Sequence, residues 1–194
     1  MRINLPNEFK VIIIGDAAVG KTSIIQQFCY QTFEKEVEST VGSLFVSKEF
    51  ETEDGKVQLN IWDTAGQEKY RSLIPMYSRN AAVGLIVIDA TNKVSYESKE
   101  TWLDILLKTA PKCKVFIVVN KIDLPPVIPI EEIKSWADSM NYPCFETSAK
   151  DYKSVYTVFK HVAEEIQKSS KQQENYQVND YVQEVQVSDS KCSC

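Results

Sequence analysis

Residues 15–22 read GDAAVGKT and follow the apolar run FKVIII without a spacer. The pattern Gly-x-x-x-x-Gly-Lys-Thr between a strand and a helix does one kind of chemistry well: it holds phosphate. Gly15 and Gly20 permit backbone geometry that other residues resist, so successive N–H groups, including those of Ala18 and Val19, can point at phosphate oxygens. A helix opening after Gly20 adds partial positive charge at the same place. Lys21 is placed to reach the β- and γ-phosphates. Thr22 can give its hydroxyl to Mg²⁺, with Ser23 beside it. ATPases, kinases and GTPases all use such a loop, so the nucleotide must be read from elsewhere.

The segment IWDTAGQ (61–67) puts Asp63 at the end of an apolar strand, where a carboxylate can serve Mg²⁺ through water. Gly66, three residues on, can bring its N–H against a terminal phosphate. NKID (120–123) addresses the base. Guanine offers two adjacent donors, N1–H and the 2-amino group, and the carboxylate of Asp123 can accept both. Adenine lacks that pair, and a carboxylate left unpaired would disfavour it. Asn120 can donate to N7 while the stem of Lys121 covers the ring face. TSAK (147–150) supplies the complement, the Ala149 N–H meeting O6 between Ser148 and Lys150.

In this order and spacing, GDAAVGKT, Thr40, DTAGQ, NKID and SAK resemble the Ras-like small GTPases over roughly residues 8–168. Within them the chain is similar to the Rab family through VGSLF (41–45), WDTAGQEKYRSL (62–73) and MYSRNA (76–81). STVGSLF and the L-x-P-M-Y stretch look closest to the early-endosomal branch. The resemblance implies a GTP/GDP switch that hydrolyses GTP and recruits effectors in vesicular membrane traffic. It implies that Thr40 binds Mg²⁺ within a first switch at about 31–42, that Phe33 packs on guanine, and that Gln67 orients the attacking water. Lys21 would stabilise the charge that develops. Phe45, Trp62 and Tyr77 match the aromatic triad through which Rabs meet effectors; for Trp62, core packing is the alternative. An exchange factor, an activating protein and a GDP-dissociation inhibitor or escort protein complete the implied partners. The first switch holds Lys35 but no arginine, so slow intrinsic turnover is expected. Two departures stand out: Ala17 and Ala18 where many relatives carry glycine, and Ser78 and Asn80 where Rabs usually have Tyr and Gly.

These residues need a scaffold. Strand-like runs lie at 10–15, 44–52, 56–62, 82–89, 114–120 and 143–147, with helical periodicity at 22–30, 95–109, 130–140 and 155–166. Asp54-Gly55 between two runs predicts an antiparallel hairpin. The alternation predicts an α/β fold: a six-stranded, mostly parallel sheet with one antiparallel edge strand and helices on both faces, the P-loop GTPase fold that the resemblance implies. Each motif falls beyond a strand's carboxyl end, where such sheets bind ligands.

The chain has 194 residues and a net charge of −5, which argues against a nucleic-acid partner. No run approaches the ~20 apolar residues of a membrane span, and the start MRINLPNEFK lacks an apolar signal region, so a cytosolic chain is expected. Cys29, Cys113 and Cys144 lack metal-ligand spacing, and the single histidine, His161, leaves little basis for Ser-His or Cys-His catalysis. Residues 1–168 form one domain in this reading. Residues 169–194 form a polar, disordered tail, with an alternative amphipathic reading for 176–187. Its ending KCSC resembles the Cys-x-Cys of Rabs, implying prenylation of Cys192 and Cys194 and attachment to the cytoplasmic face of an endomembrane, the early endosome on the branch resemblance, in exchange with cytosol. Two chains are needed because one lipid anchors marginally and the tail is slightly acidic. Two other readings remain open at this level: a P-loop kinase, against which NKID and SAK argue, and a module that holds guanine nucleotide without turnover.

Overall fold

A computed structural model describes residues 7–35, 39–40, 42–66 and 68–189. Gln67, Cys192 and Cys194 therefore lie outside the described residues.

Six strands form one sheet: β1 (Asn7–Ile14), β2 (Ser43–Thr52), β3 (Gly55–Thr64), β4 (Val83–Asp89), β5 (Lys114–Asn120) and β6 (Cys144–Glu146). Their order is β2-β3-β1-β4-β5-β6, with β2 antiparallel to β3 and every other pairing parallel. The predicted fold class is the one observed. In β1 and β4 successive apolar side chains point to opposite faces, so continuous apolar runs are what a sheet covered on both sides requires. Val11, Ile13, Leu85 and Val87 enter one core with α1 (Lys21–Tyr30) and α6 (Tyr152–Asp189). Ile12, Ile14, Ile86 and Ile88 enter the other, with α4 (Lys99–Thr109) and α5 (Ile130–Ser139).

Several boundaries differ from the sequence reading. The hairpin turn is centred on Glu53 and Asp54, since Thr52 pairs with Gly55. Gly55, at φ +114°, opens β3, and the Thr52 hydroxyl donates to its carbonyl at 2.8 Å. The helix expected at 95–109 is two helices, α3 (Lys93–Glu97) and α4, broken at Ser98. The Ser98 hydroxyl donates to the Ser95 carbonyl and to Asp16, a partner 82 residues away. A 3₁₀ turn (Glu68–Leu73) and the short α2 (Ile74–Ser78) precede β4. Helix α6 runs on to Asp189, through the segment read as a polar tail. Neither glycine nor proline occurs in 152–189, so no residue interrupts the helix. Lys48 of β2 fixes the end of α1, donating to the carbonyls of Phe28 (2.5 Å) and Cys29 (3.4 Å). A cation suits that helix terminus. Among the described residues no helix is long and apolar enough to cross a membrane.

Candidate functional site

The carboxyl ends of β1, β3, β5 and β6 converge on a cavity of about 530 Å³. Ala18, Gly20, Lys21, Thr22 and Ser23 line one wall, Phe33 and Thr40 a second, and Gly66 the floor beyond β3. Asn120, Lys121, Asp123, Ser148, Ala149 and Lys150 form the opposite end. Of the residues singled out for nucleotide, Gly15 and Val19 stand just behind this lining. Val19 is fully buried in the core.

The loop 15–20 turns as its glycines demand. A Cβ on Gly20 (φ +97°) would stand 2.3 Å from Asn120 Nδ2. Ala18 holds φ +60° and Asn80 the same value. Left-handed backbone at both positions is where glycine would be least strained; Asn adopts it more readily than Ala. Lys21 is folded back over the loop, its Nζ donating to the carbonyls of Gly15 (2.9 Å) and Asp16 (2.7 Å). Burial lowers its pKa to about 8, against the opposing pull of Asp63 and Asp16.

Beside it lies a group of oxygens. Thr22 Oγ1 donates to Asp63 Oδ2 at 2.6 Å and lies 2.9 Å from Thr40 Oγ1, itself 3.5 Å from Asp63 Oδ2. Asp63 Oδ1 is buried with no hydrogen-bond partner among the described residues. Burial pushes the Asp63 carboxyl up, with the Thr22 hydrogen bond and Lys21 opposing. A carboxylate with an orphaned oxygen beside two hydroxyls is the donor set a hard divalent cation takes, so these residues fit Mg²⁺. Among the described residues no cluster of three or more His, Cys, Asp or Glu side chains is arranged for a metal.

At the far end Asn120 ties three loops together. Its Nδ2 donates to the Val19 carbonyl (2.8 Å), while its Oδ1 accepts from Thr147 Oγ1 and the Ala149 N–H, each at 3.2 Å. The Ala149 N–H expected to face the base is thus occupied within the protein here. Asp123 accepts from Lys150 Nζ (2.6 Å) and Ser148 Oγ (2.7 Å), and these bonds, Lys150 first, hold its carboxyl below the usual range. An ionised acceptor is therefore fixed at the cavity edge. Lys121 (φ +66°) pairs with Asp89 at 2.6 Å, and Lys150 Nζ lies 5.8 Å from the Phe33 ring centre.

The aromatic triad lies outside the cavity. Phe45 and Trp62, partners across β2 and β3, have ring centres 5.3 Å apart, and Tyr77 follows at 6.1 Å from Trp62. Phe45 is 54% exposed, whereas Trp62 and Tyr77 are partly buried against the core. Trp62 thus packs against the core on one side and meets Phe45 and Tyr77 on the other. Sequence reasoning missed Asp16, whose carboxylate collects donors from three directions; as an unspecified position of the loop pattern it carried no signal. Glu34, Ser39 and Leu124 also line the cavity without having been singled out.

A phosphate-holding loop, a cation-ready oxygen cluster and a fixed carboxylate at the base end define a P-loop GTPase. The model of the Ras family matches residues 10–168, and the chain belongs to that family. Its members are guanine-nucleotide switches that hydrolyse GTP with Mg²⁺.

Proposed function

We propose that this GTPase is a Rab-type switch in vesicular traffic, loading GTP to recruit effectors at the cytoplasmic face of an endomembrane of the early-endosomal kind. The observation that carries the reading is the half-exposed Phe45–Trp62–Tyr77 surface. It joins β2, β3 and α2, the elements adjoining the two loops that face the terminal phosphate, so it can report their state. Loosening of those loops after phosphate loss is the expected switch.

In this reading Lys21 and the amides of the loop offset phosphate charge, Asp123 and Asn120 select guanine, Phe33 covers it, and Gln67 orients the attacking water. Thr22, Thr40 and Asp63 hold Mg²⁺, which neutralises charge on the phosphates. Segment 31–42 supplies no arginine, and Arg71 is engaged elsewhere, 3.4 Å from Asp16. Turnover is accordingly slow and accelerated by an activating protein, with an exchange factor resetting the switch. Cys192 and Cys194 carry the prenyl anchor, and a GDP-dissociation inhibitor returns the protein to the cytosol. Extraction from vesicles tests this. The inhibitor should remove the prenylated GDP form and leave the GTP form; failure to extract the GDP form overturns the Rab reading. γ-Phosphate release from GTP but not ATP separates it from the kinase and non-hydrolysing alternatives.

A further inference from the structure

Asp16 lies where three parts of the molecule meet. Its Oδ1 accepts from Trp102 Nε1 (3.0 Å) and from Arg71 Nη2 (3.4 Å), and its Oδ2 from Ser98 Oγ. The Arg71 guanidinium lies 4.7 Å over the Trp102 ring. The Asp16 backbone is engaged on the other side. Its carbonyl accepts from Lys21 Nζ and stands so close to Gly66 that a Cβ there would come within 2.3 Å. Both ends of segment 66–71 are therefore tied to one residue, Gly66 by backbone contact and Arg71 by an ion pair. The anchor is itself fixed by α4 through Ser98 and Trp102.

We infer that Asp16 and Arg71 act together as positioning residues for hydrolysis: the pair fixes the span that faces the terminal phosphate without touching nucleotide itself. The inference rests on the GTPase reading of this cavity. With the ion pair intact, Gly66 and Arg71 are both held at Asp16. With it broken, the span is anchored at Gly66 alone, and ordering it for reaction costs conformational entropy in each turnover. Binding is left to Lys21 and the base-end residues, none of which depends on the Arg71 side chain.

Asp16→Asn removes the charge, keeping an oxygen acceptor for Trp102 while its amide N–H can donate to the Ser98 hydroxyl, and Arg71→Gln keeps a long polar side chain. Each should lower the single-turnover rate of GTP hydrolysis by roughly five- to tenfold, because a paired span is loosened at one end. GTP affinity should stay within about twofold in Arg71→Gln, and the double variant should be no slower than the slower single one. In 5-fluorotryptophan-labelled protein, both single variants should shift the Trp102 fluorine resonance, assigned with Trp102→Phe. Unchanged rates, multiplying effects, or Arg71→Gln affinity falling in step with rate would each overturn the pairing. An unaltered protein that fails to hydrolyse GTP would instead refute the reading on which the inference rests.

Discussion

Lys21 shows what burying a phosphate-binding ammonium costs the protein that carries it. Its ammonium is buried against two carbonyls, and burial, outweighing the pull of Asp63 and Asp16, takes its pKa from 10.5 to about 8. The unfolded chain therefore binds that proton more tightly than the folded one. The resulting penalty on the nucleotide-free fold is present below about pH 8 and relieved as pH rises toward 10.5. A phosphate anion reverses the preference. GDP affinity should be highest below pH 8 and fall by a few-fold, roughly up to tenfold, between pH 7 and 9. Lys21→Arg, charged throughout, should bind more weakly but without that slope. Titration with fluorescent GDP checks both, and a flat profile for the unaltered protein would contradict the burial argument. At the other end, Asp123→Asn replaces an ionised double acceptor by an amide. GTP binding should weaken on the order of 10²-fold while XTP, with a 2-oxo group, gains. Competition binding with GTP, ATP and XTP decides it, and ATP competing as well as GTP with the unaltered protein would sink guanine selection.

At the scale of elements, the helices on one face are locked by rings. Phe28 of α1 stacks on Phe159 of α6 with centres 3.8 Å apart and planes 13° off parallel, both fully buried. Phe159→Ala should cost roughly 3–5 kcal/mol of unfolding free energy through lost burial and a cavity. Urea denaturation at saturating GDP measures it; a loss under about 1 kcal/mol would show that the site collapses freely. Strands were legible in the sequence because two-sided burial leaves unbroken apolar runs, and the site motifs because phosphate and guanine demand particular residue types at strand ends. What the sequence hid were consequences of distant contacts. Ser98, at the junction of two short helices, reaches Asp16, and Asn120 spends its amide on loops far away in sequence. Glu68–Leu73 turns as a 3₁₀ segment that no periodicity marks. Nor does local pattern separate a polar tail from a polar helix, as the run of α6 to Asp189 illustrates.

For the molecule as a whole, the proposed anchor sets the membrane test. Cys192→Ser or Cys194→Ser should each leave a weakly bound protein, and the double variant a cytosolic one, because a single lipid chain binds only marginally. Fractionation of the three variants reads this, and a double variant that stays on membranes refutes the anchor. The sheet has a further consequence. An ordinary half-buried strand resists a one-residue slip because the slip would expose its apolar face. β1 is apolar on both faces, Val11 and Ile13 to one side and Ile12 and Ile14 to the other, so burial alone barely opposes such an error. The alignment is held instead by fixed points near its end. Thr64 Oγ1 donates to the Ile13 carbonyl at 2.7 Å, and any side chain in place of Gly15 would start 2.5 Å from the Val87 carbonyl. The glycine that begins the phosphate loop is thus also a proofreader of strand alignment, and a chain that misthreads its sheet by one residue loses its nucleotide in the same stroke.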